Sequence, residues 1–287
     1  MKKLILEIDL NEICNLDCSY CILKKRNPSE YSINDEDVFK FVSNYIKHNR
    51  YTDVQLRFTS CEPTIILDKI IEYVEFLNCI VNSVSLTFIT NAVDLEVGKL
   101  VKLSKLVDKV DLFVSIDEIS KINQRFRKTK YGKHILTKHI LQNSKRLEQI
   151  FKTKATYSSV IVEHTLDELK KQIEYFESID RVNLMQIDSI NNKITDKEVL
   201  DFVNKHKENN CTLACLSNMN RICIDPMGKI YMCRSQKTAG IETNYSIFDN
   251  NYDIKFDFSE LLTKIYNKYG NIDFCPFSKI SGGDLVE

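Results

Sequence analysis

The stretch C-N-L-D-C-S-Y-C runs from Cys14 to Cys21 and holds three of the chain's ten cysteines. It follows LILEIDL, residues 4–10, which reads as a strand. Glu7 and Asp9 break the apolar run of the opening MKKLILEIDLNE, which argues against a secretory signal and points to the cytoplasm. In a reducing compartment cysteines serve as metal ligands, catalytic groups or buried apolar residues sooner than as disulfides. Structural zinc takes four ligands, usually as two separated pairs, so a tight trio suits it only if a distant residue joins. An iron–sulfur cluster held by three cysteines leaves one iron open to another ligand. Cys79, within the helix-like IIEYVEFLNCIV, reads instead as a core residue.

Working outward, strand-like and helix-like segments alternate. Strands are expected at 4–10, 54–60, 84–90, 111–117, 155–162 and 182–188. Helical spacing falls between them at 33–48, 66–77, 95–107, 132–150 and 166–178, with Ser32 and the acidic Asp35 to Asp37 as start signals for the first. Six such units predict an α/β fold with parallel strands and right-handed crossovers, either a barrel or an open doubly wound sheet. In a barrel the loops after the strands form the active site, and the cysteine loop sits there.

After about residue 190 the texture changes. Residues 191–209 read as a linker running into a helix. Residues 210–287 read as a small second unit with clustered cysteines and a hairpin, ICIDPMGKIYMC, turning at Pro226 and Gly228. A bound metal centre would supply stability that so small a core lacks. The 287 residues carry 40 Lys and Arg against 40 Asp and Glu, so no general charge favours nucleic acid or an anionic membrane. No apolar run approaches the ~20 residues that span a bilayer.

The spacing C-x3-C-x2-C, with Tyr20 before the third cysteine, resembles the signature of the radical S-adenosylmethionine (radical SAM) superfamily. The resemblance implies a partial (β/α)6 TIM-type barrel over residues 1–190. It implies a [4Fe–4S] cluster on Cys14, Cys18 and Cys21 whose open iron chelates SAM. Reductive cleavage of SAM then gives a 5′-deoxyadenosyl radical that abstracts a substrate hydrogen. In SCEPT, residues 60–64, Glu62 and Pro63 match the family's Gly-Gly-Glu-Pro, and the glutamate receives the SAM amino group. Ser60 and Cys61 stand where the family has glycines. Thr90 and Asn91 look like the family's Thr-Asn. Ser115 and Asp117 are similar to its Ser-Leu-Asp near ribose or substrate. Arg127 falls where an arginine contacts the SAM carboxylate, with Arg125 competing. The alternatives are a solvated basic turn for the arginines and strand-end caps for Thr90 and Ser115. Cys61 is either a small residue in a glycine position or a thiol that gives a hydrogen atom to a substrate radical. Asp117, Tyr157 and Asp188 are candidates for lining the substrate cavity.

The stretch from Cys215 to Cys233 resembles the opening of the SPASM/twitch extension found on some members of this superfamily. The resemblance implies one auxiliary [4Fe–4S] cluster on Cys215, Cys233 and Cys275, with Cys211 as the fourth ligand. Cys223, an aspartate or an open iron are the other options, and strand alternation is the reason to set Cys223 aside. Ser278 and Asp284 replace cysteines needed for a second auxiliary cluster. A tetrathiolate zinc site on the same residues is the plainer reading. The family implies a radical SAM oxidoreductase, with a peptide as substrate in a RiPP-type maturase. The alternatives are a small-molecule, amino-sugar-like dehydrogenase with one auxiliary cluster, an epimerase, or a non-redox zinc-binding interaction module. A flavodoxin or ferredoxin would supply electrons.

Overall fold

A computed structural model describes residues 2–21, 33–119, 121–161, 163–178, 196–206 and 220–269. The strands are β1 (Lys3–Ile13), β2 (Asp53–Cys61), β3 (Ser83–Thr90), β4 (Lys109–Ser115), β5 (Asn123–Lys128), β6 (His134–Leu136), β7 (Ala155–Ser158), β8 (Arg221–Ile224) and β9 (Ile230–Tyr231). The helices are α1 (Asp35–Asn49), α2 (Leu67–Asn78), α3 (Val97–Leu106), α4 (Thr137–Phe151), α5 (Leu166–Ser178), α6 (Lys197–His206), α7 (Arg234–Thr238) and α8 (Ser259–Tyr269). Among the described residues, seven strands form one sheet in the order β7-β4-β3-β2-β1-β8-β9. Every pairing in it is parallel except β8 with β9. This mostly parallel α/β sheet is the partial TIM-type barrel expected from the sequence. The strand expected at 182–188 lies outside the described residues.

Alternation decides which side of the sheet is dry. Leu4, Leu6 and Ile8 of β1 bury on the helix side, as do Val54, Leu56 and Phe58 of β2 and Val84, Leu86 and Phe88 of β3. Each contributes roughly 1.5–3 kcal/mol by leaving water. The helices answer with apolar stripes at helical spacing, such as Val38, Phe41, Val42, Tyr45 and Ile46 of α1. The intervening positions, Glu7 and Asp9 of β1 and Arg57 and Thr59 of β2, face the inner side and are polar.

Several local expectations are corrected. Asn34, not Ser32, caps α1, its side chain accepting the Glu36 amide at 3.2 Å. Cys79 is exposed rather than in the core, because it falls just past the end of α2 and off its apolar face. Its thiol bonds the Glu75 carbonyl instead. The helix expected from 132 begins at Thr137, because an antiparallel ribbon of β5 and β6 precedes it. Gly132 (φ 77°) turns that ribbon.

The hairpin β8–β9 turns at Asp225–Gly228, where Asp225 collects the Met227 and Lys229 amides at 2.9 and 3.0 Å. Gly228 suits the turn because its φ of 78° is one that L side chains rarely adopt, and a Cβ there would also crowd the Phe248 ring at 2.8 Å. The hairpin is built into the barrel's own sheet, with β8 running parallel to β1 from Ile5↔Arg221 to Ile8↔Ile224. No helix among the described residues is long and apolar enough to cross a membrane.

Candidate active site

The cysteine loop leaves the end of β1 and is held from one side by the β5–β6 ribbon. The Asp17 amide donates to the Lys128 carbonyl at 2.7 Å and the Ser19 amide to the Phe126 carbonyl at 3.0 Å. Leu16 bridges Thr129. Cys14, Cys18 and Cys21 are all half-buried and within electrostatic reach of one another. Burial pushes the Cys14 thiol up and the Cys18 thiol to about 11. Among the described residues no three Cys, His, Asp or Glu side chains converge on a single-ion site.

One strand over, Glu62 follows the end of β2 and caps the one-turn 3₁₀ helix Pro63–Ile65. It is 3% exposed. Its Oε1 accepts the Thr64 amide at 3.2 Å, the Thr64 hydroxyl at 3.0 Å and the Thr90 hydroxyl at 2.5 Å. Its Oε2 accepts the Asn91 amide at 2.7 Å. Thr90 ends β3 and Asn91 follows it, and Asn91 reaches the Cys14 sulfur at 3.9 Å and Asn15 at 2.8 Å. Burial raises the Glu62 carboxyl in spite of these bonds. Among the described residues no Lys or Arg pairs with it.

The third element is a hub on Asp117, fully buried just beyond β4. Arg127 of β5 donates to it from Nε and Nη2 at 2.8 and 2.9 Å. The Tyr20 hydroxyl of the cysteine loop donates at 2.7 Å and the Val160 amide, beyond β7, at 3.0 Å. Burial pulls Arg127 down, but the Asp117 charge and hydrogen bonds together with Tyr20 and Cys18 outweigh it and hold the guanidinium well above its usual range. Arg127 is therefore buried against a carboxylate rather than in a solvated turn, while Arg125 is largely exposed and pairs with Glu118 and Glu168. Ser115 is half-buried at the end of β4. Tyr157 does not line the inner side; its hydroxyl meets Ser144 of α4 at 3.0 Å in the helix layer. Asp188 lies outside the described residues.

Cys61 ends β2 beside this group. Its thiol is within electrostatic reach of Glu62, Asp9 and Cys14, and burial raises it strongly. Ser60 before it takes a left-handed backbone, φ 59°, which explains why glycine suits this position. Its hydroxyl is tied to Asp9.

Residues 8–175 match the sequence profile of the Radical SAM superfamily. The chain belongs to that superfamily. No curated protein matches the chain in sequence. Among solved structures, native anSMEcpe with bound AdoMet and the Cp18Cys peptide is similar at a TM-score of 0.59 and 18% identity, over 80% of this chain and 74% of that one. SuiB of Streptococcus suis bound to S-adenosylmethionine gives 0.57 and 15%, over 89% of this chain and 66% of that one. BtrN in complex with AdoMet and 2-DOIA gives 0.51 and 15%, over 96% of this chain and 93% of that one. At these identities the likeness is one of fold.

Radical SAM membership implies a [4Fe–4S] cluster and SAM, and the residues present fit both. A cluster takes each thiolate on its own iron, so three sulfurs ring it rather than meet at a point. Half-buried thiols of this kind would lose their protons on binding metal. Glu62 is a buried carboxylate whose hydrogen bonds all come from neutral donors. A ligand ammonium is one cation that such a carboxylate would accept.

Of the second cysteine group, Cys233 is buried at the start of α7. Cys211, Cys215 and Cys275 lie outside the described residues. Cys223 pairs in register with Glu7 and is within electrostatic reach of Cys233. Alternation therefore does not turn Cys223 away from Cys233, which removes the reason for setting it aside.

Sequence reasoning missed the inner wall of β1. Glu7 is fully buried and binds Arg57 at 3.2 Å, Arg221 at 2.6 Å and the Arg234 amide at 3.2 Å. Asp9 binds Lys237 at 2.7 Å. The signal was two acids at alternate positions of an otherwise apolar strand.

Proposed function

We propose that the chain is a radical SAM oxidoreductase that modifies a peptide. The observation that carries this reading is the meeting of the Cys14–Cys21 loop with Glu62, Thr90 and Asn91 at neighbouring strand ends of a radical SAM barrel. Cys14, Cys18 and Cys21 hold the [4Fe–4S] cluster. Glu62 takes the SAM ammonium, with Thr90 and Asn91 fixing the carboxylate's direction. Ser115 lies along the ribose or substrate, and Tyr20 and Arg127 set the loop through Asp117. When bound, cluster and SAM supply a carbon-centred radical that removes a hydrogen atom from the substrate.

Cys233 with Cys211, Cys215 and Cys275 holds one auxiliary [4Fe–4S] cluster in this reading, and the net change is a two-electron oxidation. Cys223 now competes with Cys211 as the fourth ligand. A peptide substrate is supported by solved neighbours that carry peptides, the Cp18Cys complex and SuiB bound to its precursor peptide SuiA. A small polar metabolite is the second reading. It is favoured by the match in extent to BtrN, 96% of this chain and 93% of that one. Cys61 as hydrogen donor belongs to an epimerase reading, which unchanged product stereochemistry in Cys61→Ala removes.

Iron and sulfide after anaerobic reconstitution test the reading. About eight irons are expected, and about four in the Cys14/Cys18/Cys21→Ala triple variant, each cluster holding four. Four and none would sink the auxiliary cluster. Dithionite-driven release of 5′-deoxyadenosine is expected from the first protein and not the second.

A further inference from the structure

We infer that the β5–β6 ribbon is the docking surface for a small acidic one-electron carrier protein that reduces the cluster on the neighbouring loop. This rests on the iron–sulfur reading above.

The chain is neutral overall, yet residues 121–134 hold Lys121, Arg125, Arg127, Lys128, Lys130 and Lys133 and not one Asp or Glu. Half of these charges are already paired within the chain. Arg127 is buried on Asp117, and Lys121 and Arg125 pair with Glu168. Lys128, Lys130 and Lys133 are exposed, and among the described residues none of them forms an ion pair. Large apolar side chains stand among them: Tyr131 is 91% exposed and Ile122 80%. An exposed aromatic set in uncompensated positive charge is the composition of a protein-binding patch for an acidic partner.

Position selects the partner. The ribbon's backbone is bonded to the cysteine loop through Asp17 and Ser19, and both of those residues are exposed. Whatever rests on the ribbon is therefore next to the point at which an electron must enter. Complexes that pass electrons are small and transient, and they depend on charge steering rather than on area. An acidic carrier fits all three conditions. An acidic peptide fits only the charge. In the step itself the carrier loses one electron and the cluster gains one, and no atom changes hands.

The test uses flavodoxin as the probe, kept reduced by NADPH and its reductase. The variants are Lys128/Lys130/Lys133→Glu and, as a milder partner, the same three positions →Gln. Binding of oxidised flavodoxin, with and without iron in the protein, is expected to weaken about tenfold or more in the Glu triple at low salt and less in the Gln triple. The salt dependence of binding should flatten in both. Flavodoxin-driven 5′-deoxyadenosine release should fall with it, while dithionite-driven release stays at the wild-type rate. Equal binding in all three proteins overturns the proposal, as does an equal fall in both rates. Unchanged flavodoxin binding with lost binding of a Glu-rich peptide also overturns it and assigns the ribbon to a peptide. Should wild type itself hold no iron and release nothing with dithionite, the underlying reading fails instead.

Discussion

Ser60 holds a left-handed backbone at φ 59° with its hydroxyl on the buried Asp9. Ser60→Ala keeps the strain and drops a bond to a charged acceptor, an expected loss of about 1.5–3 kcal/mol. Ser60→Gly drops the same bond but releases about 1 kcal/mol of strain. Urea unfolding of the two should rank glycine above alanine, and the reverse order would show that Ser60 is unstrained. At Glu62 the expectation concerns binding. Glu62→Gln keeps the shape but cannot meet an ammonium, so SAM affinity should fall by about 2–5 kcal/mol while iron content holds. Equilibrium dialysis against labelled SAM checks it, and unchanged affinity would remove Glu62 from the site. These residues were legible because each punctuates a strand end, where polar residues after an apolar run have few structural uses. Gln124 was not. Its amide holds the Asp117 and Glu118 amides and the Thr137 hydroxyl in the interior, but a lone glutamine in a basic segment carries no pattern.

At the scale of elements, the β5–β6 ribbon and the cysteine loop are joined by the Asp117 hub. Asp117→Ala leaves the Arg127 guanidinium buried without its partner, at an expected cost of about 3–5 kcal/mol. The loop loses its Tyr20 anchor in the same stroke, so iron should be lost faster to a chelator such as EDTA. Asp117→Ala with wild-type stability and iron retention would make the hub ornamental. Strands and helices of the barrel were readable because their apolar periods are long. The ribbon was hidden because its strands are short, its residues mostly polar or charged, and its only marker the Tyr131–Gly132 turn. The helix that follows absorbed it in the sequence reading. Cys79 misled for a related reason: composition places it in an apolar stretch, but it falls on the same exposed side of α2 as Glu72 and Glu75.

Across the whole molecule the Glu7 tie joins β1, β2, β8 and the start of α7. Burial opposes ionisation of Glu7, yet Arg57 and Arg221 outweigh it and hold the carboxyl below its usual range. A depressed carboxylate stabilises the fold above its unfolded pKa, ~4.3, and that contribution is lost as pH falls through the lower folded value. Glu7→Gln should therefore cost about 3 kcal/mol at neutral pH, with the gap from wild type closing in acid. A gap that is constant with pH would mean that the charge of Glu7 is irrelevant. The pairing of β8 with β1 has a consequence for synthesis. Residues 5–8 wait for residues 221–224, so on the ribosome β1 keeps one flank bare until more than two hundred further residues have been made. A bare flank of parallel sheet invites pairing with a second nascent chain. Production should thus be limited by the interval between barrel collapse and the arrival of β8, and slowing translation between β7 and β8 with rare codons at constant temperature should put more of the protein in inclusion bodies.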